Sequence, residues 1–137
     1  MSERTLPRRS PLTEPYWAAC QQGVLAIQRC RACGSFVHFP EPRCPRCHAA
    51  DLGFEPVSGR GTVHTYTAVH RTFAPGFADR TPYVLAWVDL VEQPGLRAFG
   101  NVLGVDPDRV RIGMPVEVCF EDLPGFGRVP NFRAVPA

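Results

Sequence analysis

The sequence predicts a mainly β protein with one short N-terminal helix. Three observations carry that prediction. Two Cys-x-x-Cys pairs stand ten residues apart, at Cys30/Cys33 and Cys44/Cys47. Five short runs rich in β-branched and aromatic residues follow within residues 57–137. Fifteen prolines and twelve glycines among 137 residues suit short strands and many turns better than a helix bundle.

The chemistry available is narrow. All fifteen basic residues are arginine, so chemistries that need a lysine, such as Schiff-base formation or a phosphate-binding P-loop, are excluded. Thirteen acidic residues leave a net charge of +2, far from the strong basic bias of a dedicated nucleic-acid binder. Residues 1–12 lack the apolar stretch of a signal peptide. The longest strongly apolar run, Tyr83–Val88, is too short to span a membrane. The expectation is a cytoplasmic, reducing compartment, where closely spaced cysteines are metal ligands rather than disulfides.

Taken in order, residues 1–12 read as a flexible, polar N-terminus. Residues 13–56 read as a short helix followed by a metal ribbon. Thr13 is the expected helix cap, Glu14 and Pro15 suit the first turn, and Gly23 ends the helix. Tyr16, Trp17 and Cys20 form one apolar edge, which either packs on the chain itself or meets a partner.

The two cysteine pairs are the strongest motif. Thiolates two residues apart can point at one ion while the amides of the tight turn soften their charge. Four thiolates make a closed tetrahedral site with no position left for water or substrate, so the metal is structural. Binding it also folds a segment that otherwise has little core. The expected cofactor is one zinc ion on Cys30, Cys33, Cys44 and Cys47. Iron in the same site is the chemical alternative. His48, next to Cys47, reads as a solvated turn residue.

Residues 57–137 read as a barrel. Strands are expected at Gly61–His70, Tyr83–Val91, Leu96–Leu103 and Pro115–Glu121, with a fifth within residues 129–135. Asp106 caps a short helical turn that begins at Pro107. Five short strands with a helical turn between the third and fourth suit a Greek-key barrel of the OB type. The full expectation is therefore a short N-terminal helix, a rubredoxin-like zinc ribbon and a C-terminal five-stranded OB-fold barrel.

The loop of residues 70–82 joins the first two barrel strands, a place from which OB-folds often reach ligands. His70, Arg71, Phe73, Phe77 and Arg80 make it a candidate contact surface, with aromatic rings to dock and arginines to meet an anion. Tyr16 and Trp17 join that set. Cys20 and Cys119 have no neighbouring histidine and read as inert core thiols. No catalytic residue is assigned.

The ordered motifs resemble one family. They are Tyr16-Trp17, then L-x-x-Q-R-C-x-x-C-G over Leu25–Gly34, Pro40, and Cys44-Pro-x-Cys47. Gly59-Arg-Gly61-x-Val63-x-x-Tyr66-Thr67, Pro82-Tyr83-Val84 and Val110-x-Ile112-Gly113-Met114-x-Val116 follow. Together they resemble the zinc-ribbon OB-fold accessory proteins of acyl-CoA metabolism, catalogued as domain of unknown function thirty-five. The resemblance implies a non-catalytic subunit. Its partner is a thiolase-like enzyme (an aldolase or acyltransferase) or a MaoC-like hydratase of hot-dog fold, and acyl-CoA lies at or near the interface. Steroid side-chain and lipid degradation are among the pathways it implies. Longer relatives carry more helix before the ribbon than this chain.

The competing reading is a single-stranded nucleic-acid-binding module, because zinc ribbons and OB barrels both serve that purpose. The +2 charge and the acidic Glu117 and Glu121 weigh against it.

Overall fold

The structure, a computed structural model, describes residues 4–72 and 74–135. Helix α1 (Glu14–Gln21) leads into strand β1 (Leu25–Cys30). Strand β1 is the centre of a three-stranded antiparallel sheet with β2 (Phe36–Val37) and β3 (Leu52–Val57). Five further strands close a barrel: β4 (Arg60–Val69), β5 (Tyr83–Leu90), β6 (Arg97–Leu103), β7 (Pro115–Leu123) and β8 (Gly127–Ala134).

Around the barrel the order is β4-β5-β6-β8-β7, and β7 returns to β4. All neighbours are antiparallel except β6 and β8, which run parallel through Val102↔Phe132 and Leu103↔Arg133. This is the Greek-key order of an OB-fold, as the sequence predicts. Two 3-10 turns, Ala78–Arg80 and Pro107–Arg109, sit in the connections. Asp106 caps the second by accepting from the Asp108 amide at 2.9 Å, as expected from the Asp-Pro pair.

Alternation explains which faces are buried. Along β5, Val84, Ala86, Val88 and Leu90 point into the barrel while Trp87 faces out. Val63, Val102, Val116 and Phe132 fill the same interior. Leu25 and Ile27 of β1 join that cluster, so the ribbon sheet shares its core with the barrel. Burial of one such side chain is worth about 1.5–3 kcal/mol. A second, small cluster consists of Cys30, Val37 and Cys44 with Ala49 and Leu52 packed on it.

Helix α1 differs from the expectation at its cap. The Thr13 side chain makes no capping hydrogen bond. Its hydroxyl lies 3.1 Å from Ser10 Oγ and accepts the Ser10 amide, so Thr13 closes the turn before the helix instead. Cys20 is fully buried beneath the helix. Residues 4–12 form no helix or strand but lie on the barrel. Arg4 pairs with Glu121 at 3.1 Å and Arg9 stacks over Phe126 at 4.6 Å. No helix among the described residues is long and apolar enough to cross a membrane.

Candidate metal centre and adjoining cavity

The two cysteine pairs fold as equivalent knuckles. In the first, the Cys30 amide donates to Ser35 O and the Gly34 amide to Cys30 O, at 2.8 and 2.9 Å. In the second, the Cys44 amide donates to Ala49 O and the His48 amide to Cys44 O, at 2.9 and 2.8 Å. His48 thus occupies the place of Gly34 and adopts the same left-handed backbone, φ 67° against 78°. Amides of Cys33 and Arg46 point at the sulfurs of Cys30 and Cys44, at 3.5 and 3.4 Å.

The four Sγ atoms lie within 4.8 Å of one another. Cys30 and Cys47 are 3.5 Å apart, Cys33 and Cys44 3.7 Å. A tetrahedral zinc site with Zn–S near 2.3 Å requires sulfurs about 3.8 Å apart, so the set fits one zinc ion. Cys30 and Cys44 are buried while Cys33 and Cys47 face solvent. Without a cation, four thiols this close compete for charge. Hydrogen bonding from Ser35 holds Cys33 down to about 6. The Ala49 amide lowers Cys47, but its hydrogen bonding with Cys30, desolvation and the other two sulfurs outweigh this and push it up to about 12. A divalent cation removes the competition and displaces the protons.

Helix α1 lies between ribbon and barrel, and its aromatic residues form one wall of a cavity of about 340 Å³. Tyr16 stacks on His38 with ring centres 5.4 Å apart, and Trp17 meets Phe126 edge-on at 4.9 Å. Both residues are half-buried, so the apolar edge predicted for the helix packs on its own chain. Phe77 lines the same cavity between Arg4, 4.8 Å away, and the Tyr83 ring at 5.1 Å. Arg80 is engaged with Glu121 at 2.9 Å. His70 and Arg71 are exposed at the start of that loop and do not line the cavity. Phe73 lies outside the described residues.

Sequence reasoning missed the aromatic row beside the cavity. His38 adjoins Phe39, Phe39 adjoins Trp87 and Trp87 adjoins Phe99, at 4.5, 6.2 and 4.9 Å. Phe39, Trp87 and Phe99 are 57, 37 and 43 % exposed. A signal existed: in the run Tyr83–Val88, strict alternation around Val84, Ala86 and Val88 puts Trp87 on the outside. The other thiols are quiet. Burial pushes Cys20 up to about 12 and raises Cys119.

Comparison with known proteins accounts for both halves. Residues 17–53 match the model of the ChsH2 rubredoxin-like zinc ribbon domain, and residues 54–121 that of the ChsH2 C-terminal OB-fold domain. The chain belongs to the ChsH2 (DUF35) family. Among its relatives in that family is a DUF35 domain-containing scaffold protein of Methanocaldococcus jannaschii. The two are 42 % identical over 96 residues, 67 % of this chain and 64 % of that one. A probable enoyl-CoA hydratase alpha subunit of Thermomonospora curvata is 38 % identical over 122 residues, 88 % of this chain. This chain spans only 37 % of that subunit's length. A solved chain described as Ltp2-ChsH2(DUF35) aldolase superposes with a TM-score of 0.84 at 35 % identity, covering 94 % of this chain and 98 % of that one.

Proposed function

We infer that this chain is a zinc-stabilised, non-catalytic subunit of an acyl-CoA enzyme complex. The partner is a thiolase-like aldolase or acyltransferase, or a MaoC-like hydratase, acting in steroid side-chain or lipid degradation in the cytoplasm. The ribbon of residues 13–56 and the OB unit of residues 57–137 dock on the partner together and help form its acyl-CoA site. One observation carries this reading: the near-complete overlap with the chain described as part of an aldolase. The chemistry of the chain agrees with it, because four cysteines form a closed donor set and the remaining thiols are held protonated.

The contact surface on this reading is the exposed row of Phe39, Trp87 and Phe99, joined by Tyr16, Trp17, His70, Arg71, Phe73, Phe77 and Arg80. Exposed tryptophan and phenylalanine at the centre of a surface are the groups that carry interface energy. Co-expression with a thiolase-fold or hydratase enzyme encoded beside this chain tests the reading. A stable complex, active only when both chains are present and weakened at least tenfold by Trp87→Ala with Phe99→Ala, is the expected result. A lone monomer with no affinity for any acyl-CoA enzyme overturns it.

One observation favours a second reading. Trp87 and Phe99 lie on the second and third barrel strands, the face on which OB-folds stack nucleotide bases. The glutamates weighed against nucleic acid are also neutralised, Glu121 by Arg4 and Arg80 and Glu117 by Arg133. Titration with single-stranded DNA at two salt concentrations decides: tight, salt-sensitive binding favours this reading, and weak binding removes it.

A further inference from the structure

We propose that the four-cysteine set is also an oxidation site. A two-electron oxidant of the peroxide class attacks Cys33 and Cys47, the metal ion is released, and disulfides Cys30–Cys47 and Cys33–Cys44 take its place between the knuckles. The inference rests on the four-cysteine set and not on docking to an enzyme, so either can fail without the other.

A cysteine is oxidised according to its thiolate character and its access to the oxidant. Metal binding requires all four cysteines as thiolates, so access is what divides them. Cys30 and Cys44 are 0 % exposed, whereas Cys33 and Cys47 face solvent. Each knuckle thus hides its first cysteine and presents its second. The hidden sulfurs are placed to resolve the exposed ones. Sulfur contacts cross from one knuckle to the other, Cys47 Sγ to Cys30 Sγ at 3.5 Å and Cys33 Sγ to Cys44 Sγ at 3.7 Å. An exposed thiolate poised next to a resolving cysteine is the arrangement that makes thiol oxidation reversible.

The chemistry balances with hydrogen peroxide alone. The exposed thiolate takes one peroxide oxygen, the O–O bond breaks, and a sulfenic acid and hydroxide result. The facing buried thiolate then attacks the sulfenic sulfur. An S–S bond forms, the S–O bond breaks and a second hydroxide leaves. Each disulfide gives two electrons to one peroxide, so two peroxides consume the four thiolates, and buffer protons convert the four hydroxides to water. The ion departs because its donors are gone.

The products tie together the same two knuckles that the metal ties. Cys33–Cys44 joins the ends of the segment 34–43, which carries His38 and Phe39, and Cys30–Cys47 encloses it. The loops closed span 11 and 17 residues. Pairing within each Cys-x-x-Cys would leave the knuckles unconnected. Oxidation across the knuckles therefore preserves the ribbon and the end of the aromatic row at Phe39, where chelation of the reduced chain does not.

The test treats the zinc-loaded full chain with hydrogen peroxide in the presence of a chromogenic zinc indicator. Release of one zinc per chain is expected, reversed by a dithiol reductant with added zinc. Peptide mapping should find Cys30–Cys47 and Cys33–Cys44, with Cys20 and Cys119 still reduced, because burial raises both and keeps them protonated. Hydrogen exchange in residues 33–44 of the oxidised chain should be at least about tenfold slower than in the reduced chain stripped by chelator, the effect of the closed loops. Retention of zinc under peroxide overturns the proposal. So do disulfides within each Cys-x-x-Cys, a Cys33–Cys47 pair, sulfinic or sulfonic acids without disulfides, or exchange as fast as in the stripped chain.

Discussion

The side chain of Gln93 imitates a β-strand for Phe36. Its carbonyl accepts the Phe36 amide at 2.9 Å and its amide donates to the Phe36 carbonyl at 3.2 Å. Phe36 opens β2 in the ribbon, and Gln93 lies in the turn between β5 and β6 of the barrel. One side chain thereby extends the ribbon sheet across the junction. Two other glutamines make the same two-sided clasp. Gln28 clasps Glu41 at 2.9 and 2.8 Å, and Gln21 of α1 clasps Arg128 of β8 at 3.2 and 2.9 Å.

Gln93→Ala leaves the Phe36 amide and carbonyl half-buried without partners. Loss of two neutral hydrogen bonds is expected to cost about 1–2 kcal/mol. Urea unfolding of the zinc-loaded protein reads the loss, and hydrogen exchange at Phe36 should accelerate more than exchange in β5. Gln93→Glu is expected to weaken the clasp as well, because a carboxylate cannot donate to the Phe36 carbonyl. An unchanged midpoint for both variants refutes the role assigned to this clasp.

These clasps mark the boundary of what sequence reading reaches. The knuckles were legible because their chemistry is local: two residues between thiols, a turn residue after each pair. The barrel strands were legible because alternation repeats every second residue. Asp106 capped as expected because its partner stands two residues away. Gln93 and Phe36 are 57 residues apart, and Gln21 and Arg128 are 107 apart. A glutamine that imitates a strand has no local pattern to betray it. The same holds for Arg4 on Glu121, which turns a segment read as flexible into one wall of a cavity. Thr13 failed as a cap for the opposite reason: the local signal was present, but Ser10 offered its hydroxyl a competing partner.

The ribbon depends on its metal more than the barrel does. Among the described residues, the cluster around the cysteines is Cys30, Val37 and Cys44 with Ala49 and Leu52. The larger cluster contains fourteen buried residues, of which only Leu25 and Ile27 come from the ribbon sheet. Removing zinc with a strong chelator is therefore expected to abolish amide protection between residues 30 and 52 and leave β4–β8 protected. Structural zinc contributes about 10–16 kcal/mol in zinc-finger peptides, so Cys44→Ser, which breaks the buried half of the site, should give the same pattern without chelator. Elemental analysis should find one zinc per chain. A coloured preparation with iron, or a ribbon that keeps its protection without metal, contradicts the assignment.

Stability should fall on mild acidification, and His38 sets where. Burial holds its folded-state value down to about 4, below the ordinary 6.5. Between those values the unfolded chain binds the proton and the folded chain does not. The contribution is fully present above pH 6.5 and is lost as the pH falls towards 4. From pH 6.5 to 5 the loss is roughly 2 kcal/mol. His38→Phe, which keeps a ring against Tyr16, should flatten this part of the profile in urea titrations at pH 7, 6 and 5. A profile of the same slope in the variant assigns the acid sensitivity to other groups.

Barrel closure rests on the absence of one side chain. Gly61 and Thr62 are the residues at which β4 pairs on both sides, Gly61 with Leu90 of β5 and Val116 of β7. A Cβ placed there would collide with the Asp89 carbonyl oxygen and lie 2.7 Å from Val88 Cγ1. The obstacle is backbone and core, neither of which can step aside. Gly113 poses the opposite problem: its φ of +86° strains any other residue, but a Cβ there meets nothing within 4 Å. The two glycines should therefore respond differently to alanine. Gly113→Ala is expected to cost about 1 kcal/mol, the strain of a left-handed residue with room around it. Gly61→Ala should cost more than about 3 kcal/mol, or yield a chain whose β4 amides exchange freely because the strands no longer close. Chemical denaturation of the two variants side by side checks the ordering. Equal costs would mean that the seam at Gly61 has slack, and that closure is secured instead by the parallel β6–β8 pair, where Asn131 accepts the Asn101 amide at 2.9 Å.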